Sequence, residues 1–234
     1  MIFRSDYMQA IKAFKDKPLV KILTGVRRCG KSTIFLMLRE ELIKEGVSEK
    51  DIIEKRYTDM DIPENITAKQ MYDELIEAIG DKKHCYLLLD EIQEVPDWER
   101  AVNNLLECGK ADIYITGSNS KLMSSEISTY LTGRYIQIPV FTLSFREYMD
   151  FKEDSRKSKT ELLEEYIRFG GFPIIALGEY EPQQVYQIVN GIYYTVVSRD
   201  IVKRHRINKQ DLFDRVVKYI IENVGKTFSA NSIS

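Results

Sequence analysis

The amino-acid sequence predicts an α/β fold built on a mostly parallel sheet, because strand patterns and helical patterns alternate along it. A glycine-bounded loop, Gly25–Ser32, follows the largely apolar run Leu19–Thr24 and leads directly into a helical pattern. A second apolar run, residues 85–89, continues without a charged residue until it ends in Asp90 and Glu91. Such a run is expected of a strand that is buried on both faces of a parallel sheet.

The predicted elements follow one another in a regular order. Strands are predicted at residues 19–24, 52–58, 85–91, 112–117 and 135–140, and helices at 5–15, 33–42, 68–79, 97–108 and 122–131. Three further helical patterns cover residues 159–169, 183–203 and 209–223. The patterns predict four parts, which are a core over 1–150, a charged linker over 151–160, an all-helical lid over 161–224 and an incomplete segment over 225–234.

The composition excludes several classes of protein. The chain has 234 residues and a formal net charge of −2, so its overall charge gives no argument for nucleic-acid binding. Its sequence has no apolar run near the roughly 20 residues of a membrane span and no signal-peptide pattern. The cysteines Cys29, Cys85 and Cys108 and the histidines His84 and His205 lack the spacing of a metal site or a disulfide framework. We therefore expect a cytoplasmic protein.

The loop at Gly25–Ser32 has the spacing and the strand-loop-helix context of a phosphate-binding loop, the Walker A pattern. Gly25 and Gly30 allow positive φ and let backbone N–H groups approach phosphate oxygens. Lys31 would reach the β- and γ-phosphates, and the Ser32 hydroxyl would bind Mg²⁺. A plain glycine turn before an amphipathic helix is the alternative. The residues predicted to bind nucleotide here are Gly25, Val26, Arg27, Arg28, Cys29, Gly30, Lys31, Ser32 and Thr33.

Asp90 and Glu91 are predicted to lie beside this loop, because open α/β sheets bind their ligands at the carboxyl ends of the strands. As the Walker B acid, Asp90 would hold Mg²⁺ through water. Glu91, which has no metal to hold, would polarise the attacking water. A strand that simply ends in solvated acids is the alternative. Beside the phosphate loop, the two carboxylates predict hydrolysis.

The predicted strand at 112–117 would deliver Ser118 and Asn119 to the same edge of the sheet. A short hydroxyl or amide there would contact the γ-phosphate or the attacking water, so both residues are candidate sensors. A helix cap is the alternative, because serine and asparagine are preferred at helix N-termini.

Five phrases of the sequence resemble the AAA+ and STAND group of P-loop ATPases, and most closely the prokaryotic AAA-type ATPases that carry a C-terminal domain of unknown function. The resemblance covers most of residues 20–150. It implies a sheet ordered 5-1-4-3-2 with helices on both faces, ATP as the ligand and Mg²⁺ as the metal. The phrases are TGVRRCGKST at Thr24–Thr33, LLLDEIQEV at Leu87–Val95, ITGSNS at Ile115–Ser120, LTGRY at Leu131–Tyr135 and LSFREY at Leu143–Tyr148.

The resemblance also implies roles for two further residues. Arg134 matches the position of an arginine finger, which would stabilise charge on the γ-phosphate of a neighbouring subunit. An arginine that complements a helix dipole is the alternative. Pro173, within Gly170–Leu177, matches the glycine-x-proline signature at the start of the lid, where the proline region packs on the nucleotide base. A plain turn between two helices is the alternative.

The C-terminal part carries a basic cluster over residues 199–206, formed by Arg199 and Lys203–Arg206. It would contact phosphate, another subunit or DNA, and a solvated helix end is the alternative. Relatives of this kind continue into a winged-helix-like segment and a domain that resembles a restriction nuclease. Because the sequence stops soon after Gly225, before a further helix can form, we expect a truncated chain whose DNA contacts lie in the missing part or in the basic cluster.

Three functions remain open at this point. The first is a Mg²⁺-dependent ATPase that acts as a switch or motor for an attached or partner domain, and as a homo-oligomer if Arg134 acts between subunits. The second is a nucleotide-binding regulatory module with negligible hydrolysis. The third is a P-loop kinase for a small molecule. Glu91 favours the first, because binding alone does not need a second carboxylate beside Asp90.

Overall fold

The computed structural model describes residues 2–118, 130–202, 207 and 209–225. The chain divides into two compact units, Met1–Ile188 and Val189–Ser234. Every helix among the described residues is too short or too polar to span a bilayer. The helix predicted over 122–131 and the segment predicted over 225–234 lie almost entirely outside the described residues.

Five strands of the described chain form one parallel sheet in the order β2-β3-β4-β1-β5. Read from the other edge, this is the 5-1-4-3-2 order that the resemblance implied, so the predicted topology is confirmed. All the described strand pairs are parallel, where a mostly parallel sheet was predicted. The strands are β1 (Val20–Gly25), β2 (Ile52–Arg56), β3 (Cys85–Asp90), β4 (Ala111–Ser118) and β5 (Tyr135–Pro139).

Helices alternate with the strands along the chain, and further helices follow β5. The described helices are α1 (Ser5–Lys12), α2 (Lys31–Lys44), α3 (Ala68–Ile79), α4 (Trp98–Glu107), α5 (Phe145–Phe151), α6 (Lys159–Phe169), α7 (Pro173–Leu177), α8 (Pro182–Thr195) and α9 (Gln210–Glu222). Two of the predicted helices differ from the structure by more than two residues at one end. The first helix ends at Lys12, because the chain then turns through Asp16, whose φ is 58°, ahead of Pro18. The single helix predicted over 183–203 is α8 followed by a π-helical segment, Val196–Val202.

Both faces of the sheet are buried, as the apolar run in β3 predicts. Leu87 and Leu89 pack in one hydrophobic cluster with residues of α3 and α4, whereas Leu88 packs in a second cluster with residues of α1 and α2. Trp98, at the start of α4, is buried in the first cluster and is a packing anchor. Each such buried apolar side chain contributes about 1.5–3 kcal/mol to folding.

The parallel register brings the carboxyl ends of the strands to one edge of the sheet. Gly25 at the end of β1 lies opposite Ser118 of β4, and Arg56 at the end of β2 lies opposite Asp90 of β3. The helix α2 begins at the same edge, with five residues between the end of β1 and its first residue. This carboxyl edge therefore collects the polar residues that the sequence predicted to bind a ligand.

The segment that follows β5 packs in a small cluster of its own. Leu143 and Tyr148 pack there with Leu162 of α6 and Ala176 of α7. The helices α5 and α6 each begin with a capping box, in which the side chain of a serine and that of a glutamate three residues later bond to each other's backbone N–H. Both helices belong to the same compact unit as the sheet.

Candidate functional site

The backbone of the phosphate loop requires glycine at two positions, Gly25 and Gly30. Gly30, directly before α2, has a φ of 104°, and a side chain there would be strained. At Gly25 a Cβ atom would lie 2.2 Å from the carbonyl oxygen of Val140, so only glycine fits against the chain that leaves β5. Arg28 also lies in the left-handed region, with a φ of 65°. The two glycines thus fix the path of the loop from strand to helix.

Lys31 points back into this loop and is only 4% exposed. Its Nζ donates to the carbonyl oxygen of Gly25 at 3.0 Å and to that of Val26 at 3.2 Å. Among the described residues, these two acceptors are neutral carbonyls rather than carboxylates. The loop therefore holds a cation whose charge an anionic ligand would neutralise.

The remaining residues of the predicted loop differ in exposure. Val26, Arg28 and Thr33 are exposed, whereas Arg27 and Ser32 are half-buried. Cys29 is buried in the cluster shared by α1 and α2. Burial raises the pKa of the Cys29 thiol more than the nearby Lys31 and Arg4 lower it, so the thiol stays neutral at physiological pH.

Asp90 lies at the end of β3 and is 5% exposed. Its Oδ1 accepts the hydroxyl of Thr116, and its Oδ2 accepts the Nε of Arg56 at 3.1 Å. Ser32 and Asp90 line one open cavity of about 300 Å³, together with Arg56 and Asp59. The structure therefore places the two predicted metal-binding residues around the same space.

Glu91 adopts a left-handed backbone conformation, with a φ of 53°. Its backbone N–H donates to the Oγ1 of Thr116 at 3.1 Å, and its Oε2 accepts the Nε2 of Gln93. A non-glycine residue in this conformation costs roughly 1–2 kcal/mol, and such strain concentrates at functional sites. Glu91 therefore leaves the strand at a strained turn, next to the buried Asp90.

Thr116 is a site residue that the sequence did not single out. It is fully buried in β4, and its one hydroxyl donates to Asp90 and accepts from the backbone of Glu91. The signal that could have found it is the register between β3 and β4, in which Leu89 pairs with Ile115 and the next residues of the two strands are therefore neighbours. Neither side chain of the two predicted sensors is described. The backbone of Ser118 lies opposite Gly25, and Asn119 lies outside the described residues.

Arg134 lies at the opposite, amino edge of the sheet. Its carbonyl accepts the backbone N–H of Val20, the first residue of β1. The length of β1 therefore separates Arg134 from the phosphate loop of its own chain by roughly 16 Å. Its guanidinium donates to Glu107 at 2.8 Å and to Asn103 at 3.0 Å, both on α4. The structure does not bring Arg134 together with the other predicted site residues.

Pro173 lies beside the phosphate loop, although 143 residues separate it from Gly30 in the sequence. A Cβ atom on Gly30 would be 3.8 Å from the Cγ of Pro173, which is the first residue of α7. The turn that precedes α7 thus borders the loop. The basic cluster gives no comparable picture, since Lys203–Arg206 lie outside the described residues and only the backbone of Arg199 is described.

The fold and this edge define a protein of the P-loop class, with a phosphate loop and an adjacent pair of carboxylates. The AAA domain family matches residues 17–149, more than half of the chain, and the chain belongs to this family. A second family, described only as a domain of unknown function, matches residues 160–234. The AAA-type family, with an additional C-terminal domain, is the one that the sequence phrases resembled.

Two relatives match nearly the whole chain. An uncharacterized protein of Haemophilus influenzae is 33% identical over 238 residues, which cover 100% of this chain and 59% of that protein. An uncharacterized protein of Methanocaldococcus jannaschii is 34% identical over 237 residues, which cover 96% of this chain and 49% of that protein. The chain therefore spans about half to three-fifths of the length of these relatives.

The solved structures to which this chain is similar include the following two. A DNA polymerase III gamma subunit-related protein of Thermotoga maritima has a TM-score of 0.47 at 14% identity, covering 90% of this chain and 66% of that one. The AMPPCP-bound DnaA of Aquifex aeolicus has a TM-score of 0.45 at 14% identity, covering 96% of this chain and 71% of that one.

Proposed function

We propose that this chain binds ATP with Mg²⁺ at the carboxyl edge of its sheet and hydrolyses it to ADP and phosphate. The observation that carries the proposal is the convergence on one edge of Lys31, Ser32, Asp90 and Glu91, with Ser32 and Asp90 lining one cavity. Membership in the AAA domain family supports nucleotide as the ligand. The hydrolysis cycle would act as a switch or motor for an attached or partner domain.

Mg²⁺ fits the oxygen donors of this cavity. The Ser32 hydroxyl and the Asp90 carboxylate are the protein groups that would hold it, directly or through water. Mg²⁺ prefers oxygen and usually keeps several waters beside one or two carboxylates and the substrate phosphates, so a sparse protein donor set is sufficient. When bound there, the metal supplies charge neutralisation to the phosphate oxygens.

The chain's own residues then divide the work. Lys31 exchanges its contacts with the loop carbonyls for phosphate oxygens, and the loop N–H groups and the N-terminus of α2 contribute further positive potential. Glu91 orients the attacking water and accepts its proton. Thr116 holds Asp90 and the backbone of Glu91 in fixed positions. Gln93 donates to Oε2 of Glu91, so it would compete with the attacking water for one of the two carboxylate oxygens.

The bond between Gln93 and Glu91 also favours a second candidate function. A chain in which Gln93 keeps one oxygen of Glu91 engaged would bind ATP and turn it over slowly, as a regulatory module does, until a partner releases Glu91. The third alternative, a small-molecule kinase, predicts phosphate transfer that depends on an added acceptor.

Phosphate release from ATP and Mg²⁺, measured at several protein concentrations for this chain and for Glu91→Gln, tests the proposal. We expect turnover in the unaltered chain and a loss of about 10²- to 10⁴-fold in the variant, with ATP binding retained. ATP binding without phosphate release from either protein would replace hydrolysis by the regulatory function. Phosphate that appears only on an added acceptor would replace it by the kinase function.

Arg134 enters the proposal only as a residue that acts on a neighbouring copy, because the amino edge keeps it away from its own loop. If it does, turnover per chain rises with protein concentration. A mixture of Arg134→Ala and Glu91→Gln chains then recovers turnover that neither has alone, because the intact arginine of one chain serves the intact site of the other. A mixture that stays as inactive as its components would leave Arg134 as an ion-pair partner of Glu107.

A further inference from the structure

Arg4 is a buried cation outside the predicted site that contacts the phosphate loop directly. Only 3% of the residue is exposed, although it stands near the N-terminus. Its Nη1 donates to the carbonyl oxygen of Cys29 at 3.1 Å, and its Nη2 donates to the carbonyl oxygen of Phe141 at 3.2 Å. The guanidinium also lies over the ring of Tyr7, 4.3 Å from its centroid. Arg4 therefore connects the loop with the chain that leaves β5.

The charge of Arg4 is balanced by a carboxylate on a third segment. Its Nε donates to one oxygen of Glu147 at 2.7 Å and its Nη2 to the other at 3.2 Å, which is a bidentate pair. Burial alone would raise the pKa of Glu147, but the bonds from Arg4 and from the Ser144 backbone outweigh it and hold the pKa below its usual range. The Arg4–Glu147 pair is therefore charged, and its geometry is fixed at both ends.

Glu147 in turn belongs to a segment that contacts the turn before α7, which borders the loop. It forms the capping box of α5 with Ser144, and the neighbouring Leu143 donates its backbone N–H to the carbonyl of Gly171 at 2.7 Å. At Gly171 a Cβ atom would lie 2.2 Å from the carbonyl oxygen of Leu143, so the two backbones touch. Two residues later, Pro173 borders Gly30 of the loop. The contacts therefore form a closed path from the loop through Arg4 and back.

From these contacts we infer that Arg4 is a positioning residue of the phosphate loop. It holds the Cys29 carbonyl, and with it the loop between Gly25 and Gly30, against the segment 141–147 and the turn before α7. This inference rests on the proposed function in one respect, namely that the loop binds phosphates. A change in the loop on nucleotide binding would then reach Glu147 and the Gly171 turn through one side chain. A merely structural role, in which Arg4 anchors the N-terminus, predicts no effect on the loop itself.

The three cysteines of the chain provide a direct measure of loop order. Cys29 lies in the loop and is buried, Cys85 is buried in β3, and Cys108 is exposed at the end of α4. Each cysteine is alkylated with N-ethylmaleimide in the absence of nucleotide, and its rate is followed by mass spectrometry. The Cys29 rate reports opening of the loop, and the Cys85 rate reports unfolding of the sheet. The Cys108 rate reports the reactivity of the reagent. Alkylation of a buried thiol follows the population of the opened state.

We expect Cys29 to be alkylated at least about 10-fold faster in Arg4→Gln than in the unaltered chain. Hydrogen bonds to charged groups contribute roughly 1.5–3 kcal/mol to the stability of the closed loop, and the variant loses them. Cys85 and Cys108 should keep their rates. Glu147→Gln, which keeps the shape of the partner but removes its charge, should raise the Cys29 rate by a smaller factor. Lys12→Ala is the matched control, since it breaks another ion pair near the N-terminus, with Glu41, and should leave Cys29 unchanged.

An unchanged Cys29 rate in both Arg4→Gln and Glu147→Gln would overturn the inference, and so would rates of Cys29 and Cys85 that rise together. A second arm adds ATP and Mg²⁺ to the unaltered chain. Slower alkylation of Cys29 there supports nucleotide binding at the loop, and its absence counts against the proposed function. The nucleotide-free arm tests Arg4 by itself, so the two failures are distinguishable.

Discussion

The two edges of the sheet both bury charge, and they do so in opposite ways. At the amino edge, Lys21 is fully buried and pairs with Asp112. Asp112 also accepts the hydroxyl of Tyr114 at 2.7 Å and the backbone N–H of Asp16 at 2.9 Å, and Lys21 donates to the carbonyl of Lys17 at 2.8 Å. Each of these charges is met by an opposite charge and by further hydrogen bonds from the chain itself.

At the carboxyl edge the charges are buried but less completely matched. Lys31 is held by two carbonyl oxygens, and Asp90 is held by a hydroxyl and by Arg56, whose side chain is 47% exposed. This edge also borders an open cavity of about 300 Å³. A buried pair that is fully satisfied has nothing left to offer a ligand, whereas these groups do. The comparison teaches that burial of charge alone does not mark a site, and that exchangeable partners do.

The largest effect on stability should come from breaking the buried ion pair at the amino edge. Asp112→Asn leaves Lys21 buried without a counter-charge, and breaking a buried ion pair costs about 3–5 kcal/mol. We expect the free energy of unfolding in urea to fall by that amount while the ATP affinity of the folded protein stays the same. Asp73→Asn, which breaks the exposed pair with Lys69 on α3, is the matched control and should cost under about 1 kcal/mol. A loss of ATP affinity in Asp112→Asn would contradict the separation of the two edges.

A smaller effect should come from Thr116, which serves the carboxyl edge from inside the sheet. Thr116→Val keeps the shape but leaves Asp90 and the Glu91 N–H without their shared partner, at a cost of roughly 1–3 kcal/mol. We expect the affinity for ATP with Mg²⁺, measured by calorimetry, to fall about 10-fold. Thr116→Ser restores the hydroxyl and should restore the affinity. Equal affinities in both variants would show that the hydroxyl is not needed at the site.

The smallest effect should come from Arg56, whose half-exposed guanidinium occupies one oxygen of Asp90. Arg56→Ala frees that oxygen and removes a competing positive charge. Because exposed pairs contribute roughly 0–1 kcal/mol, the Mg²⁺ concentration that half-saturates ATP binding should fall by no more than about 5-fold. Arg39→Ala is the control, since Arg39 pairs with Glu49 and Glu54 instead. A higher Mg²⁺ requirement in Arg56→Ala would mean that Arg56 supports the metal site.

The sequence predicted the phosphate loop, the carboxylate pair and all five strands of the described chain, because these depend on local patterns such as the glycine spacing at Gly25 and Gly30. The order of the strands came from the resemblance. Arg4 could not be predicted, since its role depends on partners far away in sequence, and Thr116 could be found only through the register between β3 and β4. Arg4 contacts Cys29, which lies 25 residues further along the chain, and Glu147, which lies 143 residues further along. The roles of Arg134, Pro173 and the sensors remain predictions.

The central claim is that the carboxyl edge, with its exchangeable partners, binds nucleotide. The measurement that tests it most directly is an ATP titration, with and without Mg²⁺, of the unaltered chain, Lys31→Met and Asp112→Asn. We expect Lys31→Met to bind ATP about 10- to 100-fold more weakly, because it loses a charge-assisted bond to phosphate, and to unfold at nearly the same urea concentration. Asp112→Asn should show the reverse, with lower stability and unchanged affinity. Equal ATP affinities for Lys31→Met and the unaltered chain would contradict the account.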